Sequence, residues 1–492
     1  MDIYDLIETL IAYGRDHALI GYYDETYIKN RIIAYLGLDT LKKGNVLDIS
    51  FEKLIEEIDD WAFENKKCGV TVTDRDIFDT ELMAILTPRP SDIDKTFFDI
   101  YYKDSEKDAT DYFYQLNIDD NYIRQYRIDQ DVKWKAKTEY GLLDITINLS
   151  KPEKDPHDIA RAANMPKTNY PICQLCRENE GYKGRINHPA RGNLRMIPVT
   201  LDGWQFYFQY SPYVYYNEHC IVLSEEHKPM VINEGTIVKL LECLDWLPHY
   251  FFGSNADLPI VGGSILAHEH FQGGRYKFAM DYAKEIYNFK IQGVDAALLK
   301  WPLSVIRVRS KEKEDIVKAF KAVMDKWINY NDAECQIVSH TDGIRHNTIT
   351  PIARMNGEFY ELDMVLRNNR TTEEYPLGIF HPHAEYHHIK KENIGLIEVM
   401  GLAVLPRRLK EEMSILKKKI LTKADLREDE VLAKHAEWAE EIKARYELNE
   451  NNVDYIIDEE IGVTFAKILE NCGVFKQTDD GIVHFKKFIE NL

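Results

Sequence analysis

The most constraining stretch of the 492-residue chain is Gly262-Gly263-Ser264-Ile265-Leu266-Ala267-His268-Glu269-His270-Phe271-Gln272-Gly273-Gly274. Successive side chains of a strand point to opposite faces, so this pattern predicts a strand with His268, His270 and Gln272 on one face and Glu269 on the other. The glycine pairs leave the backbone bare at both ends, which lets a phosphate or a neighbouring backbone come close. By itself the stretch fits two readings. One is a half-buried strand carrying two hydrogen-bonded histidines; the other is a phosphate-handling site.

The chemistry of the side chains sharpens the second reading. A neutral imidazole is a good nucleophile toward phosphorus, and its phosphoramidate product is reactive enough to be passed on. If His270 attacks the α-phosphorus of a nucleotide diphosphate, its charge and ring orientation must be set by a partner on the other ring nitrogen, commonly a carbonyl or carboxylate. Gln272 can donate its amide to a non-bridging phosphoryl oxygen but cannot act as an acid. Such a residue suits a leaving group that is already a stable anion, so transfer between phosphates is favoured over hydrolysis of amides or ethers.

Length allows two or three units with a large core, and 45% hydrophobic with 12% aromatic residues is a globular composition. A net charge of −20 argues against nucleic acid or an anionic membrane as partner, while leaving room for a local basic pocket. The start, Met1-Asp2-Ile3-Tyr4-Asp5, lacks the basic and apolar regions of a signal peptide. No apolar run approaches the roughly 18 residues of a membrane span, and a soluble cytoplasmic protein is expected. Of the seven cysteines, Cys68, Cys220, Cys243, Cys335 and Cys472 are scattered and read as reduced core residues. Cys173 and Cys176 form a Cys-x-x-Cys pair, which reads as metal ligation or redox chemistry, or as a reduced pair packed in a turn.

In chain order, three- and four-residue apolar spacing predicts helices up to about residue 66. Leu86-Thr87-Pro88-Arg89-Pro90 breaks the pattern and holds Arg89 extended, either solvated or facing a phosphate. Leu142 to Leu149 reads as a strand, and Lys151-Pro152-Glu153-Lys154-Asp155-Pro156 as the best boundary. Further strands are expected at Met196 to Val199, Trp204 to Tyr210 and His219 to Leu223. A helix follows from Glu234 to Leu247 with Asn233 as N-cap. A second strand-helix-strand run, Ser304 to Val308 and Glu312 to Trp327 with strands at Phe359 to Leu366 and Gly378 to His381, leads to His381, His383, His387 and His388. It is a weak repeat of the first, and its histidines read as a second metal site, a pocket wall or ordinary hydrogen-bonded side chains. Charged helix formers dominate from Arg407 to Tyr446, and Phe465, Ile468 and Leu469 are spaced like a helix face.

His268-Glu269-His270-Phe271-Gln272 resembles the His-x-His-x-Gln motif of galactose-1-phosphate uridylyltransferases, the transferase branch of the histidine-triad superfamily. Simple hydrolases of that superfamily have histidine where the glutamine stands. Cys173, Cys176, His227 and His268 fall in the order of the family's two-cysteine, two-histidine zinc site, and Asn255 matches a position that contacts the nucleotide diphosphate. Gln209-Tyr210-Ser211-Pro212-Tyr213, Asn217-Glu218-His219-Cys220 and Gly473-Val474-Phe475-Lys476 fit the second, longer type found in low-GC bacteria. Two departures from the better-known type stand out: Glu269 replaces a proline, and Ser264 lies further from the histidines than the family's serine.

The resemblance implies an α+β fold of two histidine-triad-like half-barrels of mainly antiparallel strands with flanking helices, plus helical ends. The division expected is 1–150, helical with a strand at its end; 151–300, the half bearing the site; 301–406, the second half; and 407–492, helical. It implies exchange of UMP between UDP-glucose and galactose-1-phosphate through a uridylyl-histidine on His270. Gln272 is the orienting donor; Asn255, Gly263, Ser264 and Arg89 are candidates for substrate contact. A structural zinc ion and a homodimer are further implications. The rivals are a histidine-triad nucleotide hydrolase or nucleotidyl phosphorylase, against which Gln272 speaks, and a non-catalytic zinc-stabilised binding protein.

Overall fold

The computed structural model describes residues 1–150, 156–163, 165, 168–422, 424–490 and 492. The connection expected at Lys151–Asp155 lies outside them. The chain forms two compact units, one comprising Met1–Gln130, Ser150–Val214 and Glu218–Lys228, the other Asp131–Leu149, Tyr215–Asn217 and Pro229–Leu492.

The first unit begins with the expected helices, Ile3–Asp16, Glu25–Leu36 and Phe51–Glu64, followed by Val72–Leu86, Pro90–Lys103 and Glu106–Asp119. Asp2, Ser50, Thr71 and Ser105 cap their helices by accepting a backbone N–H two or three residues on. The residues at helical spacing, among them Leu6, Leu10, Ile32, Leu54 and Leu82, are buried. The break around Arg89 has the predicted cause: one helix ends at Leu86 and the next starts with Pro90 in its first turn, leaving Arg89 extended and exposed between them. Charge and aromatics hide the period of Glu106–Asp119, yet its Phe113 is buried against Phe208 and Tyr210 of an antiparallel meander, Ile197–Leu201, Trp204–Tyr210 and Cys220–Ser224. The Tyr210 hydroxyl donates to the Thr110 carbonyl at 3.0 Å and ties helix to sheet.

In the second unit the strands run His270–Gly274, Phe251–Gly253, Asn347–Asn356, Phe359–Asn368, Val305–Ser310, Val294–Leu299 and Glu285–Ile291, each antiparallel to its neighbour. Helices Glu234–Trp246 and Lys313–Ile328 pack on this sheet and on each other. Trp327, fully buried, donates its indole N–H to the Thr348 carbonyl at 2.9 Å. A smaller sheet pairs Val132–Thr138 with Gly141–Ile147 and the latter, in parallel, with Leu402–Leu405. Helix Val453–Cys472 lies on it so closely that a Cβ at Gly462 would stand 2.0 Å from the Ala136 side chain. The buried Phe465, Ile468 and Leu469 on that helix bear out the spacing read from sequence. The fold is thus α+β with mainly antiparallel strands and helical ends, as expected.

Two strand readings change. Gly262 to Glu269 is irregular, and the strand starts only at His270. The backbone of the segment is engaged elsewhere: the Leu266 carbonyl accepts from Met230 N–H at 2.9 Å, and Gly262 bridges Ala256. Gly378 to His381 is a turn rather than a strand, because Gly378 adopts φ 122° and its N–H closes onto the Tyr375 carbonyl.

Asn233 caps helix Glu234–Trp246 by accepting from Thr236 N–H at 3.1 Å, while Thr236 Oγ1 returns the bond to Asn233 N–H at 3.2 Å. Replacing Asn233 with alanine is expected to cost about 1 kcal/mol, read as a lower denaturation midpoint in urea with an unchanged slope.

Candidate active site

The site is assembled where the His270–Gly274 strand meets Phe251–Gly253. Gln272 pairs with Gly253 and Gly273 with Phe252, and a Cβ on Gly273 would fall 2.5 Å from the Phe252 ring, so that strand crossing requires glycine. His270 is buried, and its Nδ1 lies 2.8 Å from the carbonyl oxygen of His268. A carbonyl can only accept, so Nδ1 carries the proton and Nε2 keeps its lone pair. Burial pushes the His270 imidazole down to about 4, overriding the raising effects of the His268 carbonyl and the Glu269 charge. Near neutral pH the ring is neutral, with a fixed tautomer.

Gln272 is half-buried, and its Oε1 has no hydrogen-bond partner among the described residues. Asn255 is held in a single orientation: its Oδ1 accepts from Leu396 N–H at 2.9 Å, so its Nδ2 is the end that faces Gly263. A Cβ on Gly263 would stand 2.6 Å from that nitrogen. Gly263 is therefore required by close approach of an amide donor, and Ser264 beside it is exposed.

The cysteine pair lies in the first unit. Cys173 Sγ and Cys176 Sγ are 3.5 Å apart, and His227 Nδ1 is 3.2 Å from Cys176 Sγ. Leu175 N–H points at Cys173 Sγ and Cys173 N–H at Cys176 Sγ, at 3.3 and 3.4 Å, an arrangement suited to sulfur bearing negative charge. Burial, with Cys173 alongside, pushes the Cys176 thiol up to about 12, so a cation is what would keep it as thiolate. Asn179 braces the turn, donating to the Cys173 and Cys176 carbonyls at 2.9 and 2.7 Å and accepting from His188 Nε2 at 2.6 Å. His268, in the second unit, is fully buried. Cys173, Cys176 and His227, within the first unit, offer the donor types zinc takes. Arg89 stays in the first unit at its helix start.

A sequence model described as galactose-1-phosphate uridyl transferase, N-terminal domain, matches residues 19–229, and that of the C-terminal domain matches 243–440. A galactose-1-phosphate uridylyltransferase of Clostridium acetobutylicum is 49% identical, over 99% of this chain and 99% of that protein. Proteins with the same name from Halalkalibacterium halodurans and Bacillus subtilis are 50% and 48% identical, over 99% and 100% of this chain and 98% of each of theirs. The chain belongs to the galactose-1-phosphate uridylyltransferase family. No helix among its described residues is long and apolar enough to cross a membrane.

In this uridylyltransferase-family chain the second histidine cluster takes the ordinary reading. His381 bonds Asn393 Oδ1 at 3.1 Å, and His383 and His387 reach the Ile379 and Pro382 carbonyls at 2.9 Å. Among the described residues none of them belongs to a group of metal-ligating side chains. Sequence reasoning missed Lys239, buried and 2.7 Å from Glu269. A lysine among Ile237, Leu240, Leu241 and Leu244 was the available signal. It also missed His435, whose Nε2–H donates to Glu412 at 3.0 Å while its Nδ1 accepts from His388 Nδ1–H at 2.9 Å.

Burial, reinforced by His435 and the nearby Arg408 and Lys434, pushes His388 from 6.5 down to about 3. A lowered histidine pKa means that the unfolded chain binds the extra proton first, so the contribution of the pair is complete above about pH 6.5 and is lost as pH falls toward 3. Urea titrations at pH 7 and pH 5 are expected to show a smaller acid-induced loss of stability in His388→Gln than in the unsubstituted protein.

Proposed function

We propose that the chain transfers a uridylyl group between UDP-glucose and galactose-1-phosphate by two displacements through His270. The observation that carries this reading is the His270 ring, neutral, buried and bonded through Nδ1 to the His268 carbonyl. The Nε2 lone pair attacks the α-phosphorus, forming an N–P bond while the bridging P–O bond breaks and glucose-1-phosphate leaves with its oxygen as an anion. The ring now carries positive charge, which the Nδ1–H···O=C bond stabilises. A phosphate oxygen of galactose-1-phosphate then attacks the same phosphorus, and the N–P electron pair returns to Nε2. Neither step requires an acid, which fits Gln272 at the position beyond His270.

Gln272 and Asn255 are proposed as amide donors to the non-bridging oxygens, with Gly263 giving backbone access, Ser264 alongside and Arg89 serving the nucleotide phosphates. Asn255 supports this best, since its orientation is already set by Leu396. Preorganised donors of this kind lower the barrier because they need no reorganisation as charge develops. The division 1–150, 151–300, 301–406 and 407–492, a cytoplasmic location and a homodimer belong to the same proposal.

Cys173, Cys176, His227 and His268 are proposed to hold one zinc ion. When bound, zinc would supply structural ligation, keeping the sulfurs as thiolates. Its ligand His268 is also the residue whose carbonyl orients His270.

Incubation with UDP-glucose labelled in its uridylyl group, without acceptor, is expected to leave acid-labile label on the protein and none on His270→Ala. Label persisting on the alanine variant contradicts the assignment. Gln272→Ala is expected to lower kcat by roughly 10²–10³-fold while label still forms. Native mass spectrometry is expected to show a dimer with one zinc per chain, and Cys176→Ser to lose the metal.

A further inference from the structure

Glu269 and Lys239 are almost fully buried, at 7% and 8% exposure, and Glu269 Oε1 lies 2.7 Å from Lys239 Nζ. Taking two charges out of water costs several kcal/mol each, and well-packed apolar residues in their place are often no less stable. Stability therefore does not account for the pair. Its position does.

The strand begins at His270, so the His268–Glu269 peptide stands ahead of the ladder that fixes the residues after it. That peptide supplies the carbonyl to which His270 Nδ1 donates. The side chain of Glu269 is the adjacent handle, and it is tied to a fixed post. Lys239 sits in the interior of helix Glu234–Trp246, whose start is closed by the reciprocal Asn233–Thr236 bonds and whose flanking Ile237, Leu240 and Leu241 are buried. The flexible stem of lysine is immobilised there, so the ion pair converts the position of the helix into the orientation of one peptide group.

We infer that Glu269 is a positioning residue: its ion pair with Lys239 fixes the His268–Glu269 peptide so that the His268 carbonyl faces His270 Nδ1 and Nε2 is the nitrogen presented for attack. The inference rests on the role proposed for His270. Without the pair, the peptide loses this side-chain anchor, the ring gains freedom to exchange tautomers, and a smaller fraction of molecules presents the correct nitrogen at the correct angle. A small misplacement of this kind costs on the order of 100-fold in rate, and it acts on the chemical step rather than on substrate affinity.

The test compares Glu269→Gln, Lys239→Gln and Lys239→Arg in the full-length zinc-loaded protein. Single-turnover uridylylation by UDP-glucose is measured with KM, and the His270 tautomer is read by ¹⁵N NMR of the imidazoles. The two glutamine variants are expected to lose about 100-fold in single-turnover rate, with KM little changed, zinc content intact and the Nδ1–H tautomer no longer exclusive. Lys239→Arg, which keeps the charge, is expected to restore most of the rate. Should one glutamine variant fail to fold, the other reads the same prediction from the opposite partner. Folded variants with unaltered rate and tautomer, or variants that lose stability while the tautomer stays fixed, overturn the inference. Label persisting on His270→Ala overturns instead the reading on which it rests.

Discussion

One hydrogen bond, 2.8 Å from His270 Nδ1 to the carbonyl of His268, sets what this site can do. It decides the tautomer, aims the ring, and leaves Nε2 with its lone pair. Because the acceptor is a backbone carbonyl two residues away rather than a carboxylate, no proton would move to it in the proposed transfer, when the ring becomes charged. The carbonyl stabilises positive charge and retains nothing. Burial works in the same direction, holding the free ring neutral and therefore nucleophilic.

Close packing and fixed amides surround that bond in the second unit. Gly273 lets the strand cross Phe252 at close range, Leu396 locks the Asn255 amide, and Gly263 leaves space in front of it. The Glu269–Lys239 pair reaches from a capped helix to the peptide that bears the accepting oxygen. In the first unit a different constraint dominates. Two sulfurs stand 3.5 Å apart on a turn that Asn179 closes from behind, with an imidazole 3.2 Å from one of them, an arrangement whose chemistry makes sense around a cation.

Much of this was legible in the sequence. Trp204–Tyr210 and the helix from Glu234 stand where period and capping placed them, because both elements bury a face whose spacing is local information. The α+β class was legible for the same reason, with the resemblance naming its antiparallel strands. What escaped was set by distant parts of the chain. Period-two alternation extended the strand back to Gly262, but Met230 and Ala256 take up that backbone first. Lys239 was hidden because its partner lies 30 positions away. His388 read as one of four similar histidines, and only the fold shows it donating to His435, 47 positions on. Residues whose role depends on long-range partners carry no periodic signature.

Which ring nitrogen becomes bonded to phosphorus tests the role of His270 most directly. Protein labelled with ¹⁵N in its histidines and incubated with UDP-glucose alone can be examined by ³¹P–¹⁵N correlation NMR. The geometry predicts one phosphoramidate, at Nε2 of His270, with Nδ1 still protonated and hydrogen-bonded. A phosphoramidate at Nδ1, or on any other histidine, would contradict it.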